Sequence, residues 1–100
     1  LPTAIFFAND VMAVGGIKAI RDAGLRVKDD ISVIGFDNYF FGDSFDMSFS
    51  SIKAPLEEMS EFAIENLIKS INKDDYLNIF KGEVELILRE SIKDLNNETV

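Results

Sequence analysis

Two short apolar runs, AIFFA at residues 4–8 and ISVIGF at residues 31–36, frame a longer stretch of helical composition. Short apolar runs without alternation are what a strand covered on both faces shows, so the pair predicts neighbouring strands of one parallel sheet. The stretch between them, DVMAVGGIKAIRDA at residues 10–23, is opened by Asn9 or Asp10, either of which can cap a first turn, and is closed by Gly24. Together they predict a βαβ unit.

The predicted helix carries more apolar residues than one buried stripe needs: Val11, Met12, Ala13, Val14, Ile17, Ala19 and Ile20, against Lys18, Arg21 and Asp22. A second partner is expected over the surplus face. Gly15 and Gly16 lie inside the helix, where each costs about 1 kcal/mol relative to alanine; close approach of another backbone is the expected compensation, with a loosely tolerated pair as the alternative.

Farther along, residues 25–30 read as a solvated polar connection, and Tyr39, Phe40, Phe41 and Phe45 form an aromatic loop too apolar to face water comfortably. Residues 49–53 read as a third strand, and Pro55 suits the first position of a following helix. Over residues 56–72 the series Leu56, Met59, Ala63, Leu67 and Ile71 recurs at helical spacing, which predicts a core-facing stripe. Glu57, Glu58, Glu61 and Glu65 form its solvated side and complement the helix dipole. After a polar turn at residues 73–78, Val84, Leu86 and Leu88 alternate as in a strand with one exposed side, and residues 94–100 read as a frayed tail.

Composition narrows the functional classes. With 47% hydrophobic and 28% charged residues the chain is globular, and its net charge of −8 makes it a poor phosphate binder, so this stretch itself is not expected to touch DNA. The absence of cysteine excludes disulfides and thiolate metal sites, and the absence of histidine removes a Ser-His catalytic pair. No metal site, no cofactor and no membrane span are expected. A βαβ unit needs more parallel neighbours than these residues supply, so the chain reads as a piece of a larger protein.

The candidate chemistry sits where the strands end. In open parallel sheets ligands bind beyond the carboxyl ends of the strands. Asn9 and Asp10 follow the first strand; Asp37 and Asn38 follow the second. An amide offers donors and an acceptor and a carboxylate offers acceptors, a combination suited to a polyhydroxylated ligand. The plainer alternative is that Asn9 and Asp10 cap the helix and that Asp37 and Asn38 turn the chain.

The run FFANDVMAVGGIKAIRDAGLRVKDDISVIGFDN, followed by SSIKAP, a long helix and ELILRES, closely resembles the C-terminal part of the effector-binding region of LacI/GalR bacterial transcription regulators. The resemblance covers nearly the whole chain. It implies a type I, periplasmic-binding-protein-like α/β fold with a parallel sheet, the chain being a fragment of a two-lobed domain. It further implies that Asn9 and Asp37 bind effector, with Asp10 and Asn38 as weaker candidates, and that Val14, Ile17 and Phe45 contribute to a homodimer contact. The implied organisation is a C-terminal-lobe core at residues 1–54, a crossover and helix of the other lobe at 55–78, a returning segment and strand at 79–93, and a tail at 94–100.

The implied partners are a small-molecule effector, a sugar or nucleoside, and DNA only through an N-terminal domain outside this sequence, in a cytoplasmic, non-catalytic protein. Two departures stand out: Met47 and Ser48 where the family usually has a proline pair, and Ala54 where it often has glutamine. The competing readings are a secreted sugar-binding protein of a transporter, marked by a signal peptide in place of a helix-turn-helix ahead of Leu1, and a glycoside hydrolase using Asp10 and Asp37 as paired carboxylates.

Overall fold

The computed structural model describes residues 1–39 and 48–96. They divide into two compact units: Leu1–Lys53 with Glu85–Val100, and Ala54–Val84.

In the first unit, strand β1 (Ala4–Phe6) pairs in parallel with β2 (Ser32–Ile34), in the register Ala4↔Ser32, Ile5↔Val33, Phe6↔Ile34. Helix α1 (Asp10–Asp22) connects them. It starts at Asn9, whose side-chain oxygen accepts a hydrogen bond from the Met12 amide at 2.9 Å, satisfying one of the free donors of the first turn. It ends in a Schellman arrangement. Gly24, at φ +77°, donates to the Arg21 carbonyl, and Leu25 donates to that of Ile20.

The core is built by the stripe Ala13, Ile17 and Ile20 of α1 against Val27, Ile31, Val33 and Phe49, all buried, with Ile5, Phe7, Val14 and Leu25 packed on it. Burying each large aliphatic side chain here contributes about 1.5–3 kcal/mol. Ile17, expected at a dimer contact, is fully buried and belongs to this core instead. The large exposed apolar residues of α1 are Val11 and Met12, nearer its start.

Two further expectations need correction. Strand β1 is not covered on both faces: Phe6 is 58% exposed while Ile5 and Phe7 point inward, because among the described residues only one side of this short strand has a helix over it. Gly16 does make room for a close neighbour, but that neighbour is the ring of Phe7, which a Cβ at Gly16 would strike, and not another backbone. A Cβ at Gly15 would meet nothing.

Strand β3 (Ser51–Lys53) pairs antiparallel with β4 (Glu85–Ile87), with Ile52 opposite Leu86. The segment leading into β3 also runs parallel to β2, through an Ile34↔Ser50 bridge. Gly35 donates to the Ser50 carbonyl and Asp37 to that of Ile52, each at 2.9 Å. Val84, Leu86 and Leu88, expected to lie on a buried face, are all exposed, and it is Ile87 that turns inward. The alternation is present, and its buried phase is the opposite one.

In the second unit, helix α2 (Leu56–Ile71) is capped by the Pro55 backbone, one position before the helix proper. Its amphipathic stripe is not core among the described residues: Leu67 and Ile71 are 56% and 69% exposed, and Leu56 and Met59 are exposed too. A single helix cannot cover its own apolar face, and the chain that follows it takes another path. The Leu77 amide donates to Asn66 Oδ1 at 2.8 Å, Asn66 Nδ2 donates to the Phe62 carbonyl at 2.9 Å, and Phe62 meets Phe80 edge-on with ring centroids 5.3 Å apart. Gly82 is required by this packing, since a Cβ there would collide with the Phe80 ring.

Candidate ligand site at the strand tips

The parallel pairing brings the ends of β1 and β2 side by side. Beyond Phe6↔Ile34 the ladder continues, the Phe7 amide donating to the Ile34 carbonyl at 2.8 Å and the Asp10 amide to the Phe36 carbonyl at 2.9 Å. Asn9 and Asp37 therefore follow adjacent strand ends on one edge, where ligands of such sheets bind.

Of the four candidate residues, Asn9, Asp37 and Asn38 retain unused polar capacity among the described residues. Asn9 is half-buried; its oxygen caps α1, and its Nδ2 has no partner among the described residues. Asp37 is also half-buried, and its carboxylate likewise has none among them. Its backbone sits at φ 101°, an uncommon conformation for a residue with a side chain and one that tends to occur at functional sites. One free amide donor and one free carboxylate suit a ligand hydroxyl or amide group.

Asp10 is committed elsewhere through both oxygens, and Asn38 through its side-chain oxygen alone. Asp10 is completely buried, and both of its carboxylate oxygens are taken: Oδ1 by the Ser51 hydroxyl at 2.6 Å and Oδ2 by the Tyr39 amide at 2.7 Å. A carboxylate enclosed in this way holds protein together and has no lone pair aimed at a ligand. This also removes the paired-carboxylate arrangement that a glycosidase reading needs. Asn38 accepts from Arg89 Nη2 at 2.7 Å through its side-chain oxygen, so that oxygen is occupied as well. Phe45, expected at a dimer contact, lies outside the described residues.

Sequence reasoning did not single out the residues that complete this edge. Ser50, Ser51, Arg89 and Ser91 interlock beneath it. The Ser50 amide donates to Ser91 Oγ at 2.8 Å, the Ser91 hydroxyl donates to the Val33 carbonyl, and the Arg89 amide donates to Ser50 Oγ at 2.9 Å. The signal was present in the motifs SSIKAP and RES, but a serine or an arginine carries no local mark of the distant groups it will bond.

Residues 1–92 match the family of periplasmic binding protein-like domains. The chain belongs to that family. Within it the likeness is to the LacI/GalR effector-binding type. The chain is 42% identical over 96 residues to the HTH-type transcriptional repressor PurR of Photobacterium profundum, an overlap of 95% of this chain and 29% of that protein. The crystal structure of a periplasmic binding protein/LacI transcriptional regulator from Alkaliphilus metalliredigens QYMF complexed with D-xylulofuranose superposes with a TM-score of 0.81 at 34% identity, over 92% of this chain and 35% of that one. The lac repressor dimer bound to operator and the anti-inducer ONPF gives a TM-score of 0.77 at 28% identity, over 94% and 33%.

This periplasmic-binding-protein-like chain thus spans under a third of the PurR relative. The parallel β1–β2 pair joined by α1 is the βαβ unit that the sequence pattern predicts, and the periplasmic-binding-protein-like fold is the one that the family resemblance implies.

Proposed function

We propose that this chain is the effector-sensing and dimerisation part of a LacI/GalR-type transcriptional regulator. In this reading Asn9 and Asp37 bind a sugar or nucleoside effector. The first unit belongs to the C-terminal lobe, and the α2 unit to the other lobe. DNA is contacted only through an N-terminal domain outside this sequence. The protein acts as a cytoplasmic homodimer and is not an enzyme; ligand binding shifts the population of the DNA-binding conformation. The observation that carries the proposal is the pair of uncommitted polar groups, Asn9 Nδ2 and the Asp37 carboxylate, on adjacent strand tips. The PurR likeness favours a regulator over a transporter component.

Calorimetric titration of the full-length protein with D-xylulose, cellobiose and adenosine tests it. At least one compound is expected to bind, and Asp37→Ala is expected to weaken that binding by about 1.5–3 kcal/mol, the usual range for a hydrogen bond to a charged group. Unchanged affinity in the variant removes Asp37 from the site.

A further inference from the structure

The Asp37–Asn38 turn places two successive residues outside the usual negative-φ regions. Both have positive φ, 101° and 59°, and such backbone persists only where the surroundings over-determine it. Three successive amides are pinned by three different acceptors: Asp37 by the Ile52 carbonyl at 2.9 Å, Asn38 by Ser51 Oγ at 3.1 Å and Tyr39 by Asp10 Oδ2 at 2.7 Å. Ser51 and Asp10 are themselves joined, so these two anchors form one buried assembly.

The remaining anchor is Arg89. Its guanidinium donates from Nη2 to Asn38 Oδ1 at 2.7 Å and from Nη1 to the Phe49 carbonyl at 2.9 Å. A rigid fork with two donors can fix the distance between two acceptors, which a lysine, with one compact ammonium, cannot do. Arg89 lies two residues beyond β4, where the chain returns from the α2 unit, and β3 is where the chain leaves for it. The turn is therefore bonded to residues of both chain passages.

We infer that Arg89 is a positioning residue of the effector site: by clamping the Asn38 amide to the Phe49 carbonyl it fixes the turn in the form that presents Asp37. The inference rests on the effector-site reading of Asp37. It gives the arginine of the RES motif a role, and it makes the returning strand a determinant of effector affinity without contact between Arg89 and the effector.

The test compares wild type, Arg89→Lys and Arg89→Met in the full-length protein. Two readouts are used: hydrogen exchange of the peptide covering residues 36–39, with the α1 peptide as control, and calorimetric affinity for D-xylulose, cellobiose and adenosine. Arg89→Met keeps the aliphatic stem and loses the guanidinium that bonds Asn38 and Phe49. It is expected to speed exchange at Asn38 and Tyr39 about tenfold with little change in α1, and to weaken the bound probe by a similar factor. Arg89→Lys, which retains the charge and a single donor nitrogen but not the fork, is expected to fall between and keeps the test available if the methionine variant does not fold. Unchanged exchange at residues 36–39, or an equal rise throughout the first unit, overturns the inference, as does full affinity in both variants. If wild type takes up none of the three probes, the sensor reading fails on its own, and the exchange comparison still decides whether Arg89 fixes the turn.

Discussion

The carboxylate of Asp10 accepts a hydrogen bond from the Ser51 hydroxyl at 2.6 Å, joining the start of α1 to the start of β3 across 41 residues of sequence. Its second oxygen holds the Tyr39 amide. Asp10 therefore sits between the two strand tips as a structural tie, while its neighbour Asn9 keeps an amide nitrogen with no partner among the described residues.

Removing that tie should be costly in a graded way. Asp10→Ala leaves the buried Ser51 hydroxyl and the part-buried Tyr39 amide unpaired and is expected to destabilise the protein by about 2–3 kcal/mol, whereas Asp10→Asn retains an acceptor and should cost roughly half as much. Urea denaturation gives both values; equal losses would mean that the two hydrogen bonds are not the source. Gly35 adds a coupled prediction, because a Cβ there would strike Asp10 Oδ1 and approach Phe49 Cε2 at 3.3 Å. Gly35→Ala should cost about 1–3 kcal/mol, and less when made together with Asp10→Ala, since the two share one space.

Asn9 has two tasks that substitution can separate. Asn9→Ala loses the cap and should lower helix stability by about 1 kcal/mol. Asn9→Asp keeps an oxygen for the Met12 amide but has no donor. It is expected to melt near wild type while effector affinity falls about tenfold, about the contribution of one hydrogen bond. Full affinity in Asn9→Asp would leave the wild-type amide as a cap alone.

Self-association should depend on the exposed start of α1. Val11 and Met12 are 62% and 53% exposed, whereas Val14 packs partly on the core. Val11→Asp puts a charge on that face without harming the helix, since acidic residues favour a first turn. Burying an unpaired charge in a dimer contact is costly, so sedimentation should show dissociation constants raised by tenfold or more, an effect of at least about 1.4 kcal/mol. An unaltered dimer would place the contact elsewhere.

Acid should act through Asp30. Its carboxyl is held below its ordinary value of 3.8, first by the hydrogen bond from the Arg26 amide and further by the Arg26 charge. A depressed carboxyl contributes stability that is present above the ordinary value and lost as pH falls through the lowered one. Wild type should therefore exceed Asp30→Asn in stability above about pH 4, with the difference closing on further acidification. A difference independent of pH would argue against this linkage.

The sequence by itself determined β1, α1 and β2, a cap at Asn9 or Asp10, the stop at Gly24, and the strand-tip positions of Asn9 and Asp37. These follow from local physics: backbone periodicity, cap chemistry and the direction of parallel strands involve neighbours a few residues apart. Only the tertiary structure decided that Asp10 is sealed inside, that Ile17 is core, that the apolar face of α2 stays uncovered among the described residues, and that Arg89 reaches Asn38 across 51 residues. A carboxylate or a guanidinium has the same local surroundings in sequence whether it caps a helix, binds a ligand or braces a turn, and its role is set by which distant acceptors and donors the fold brings to it.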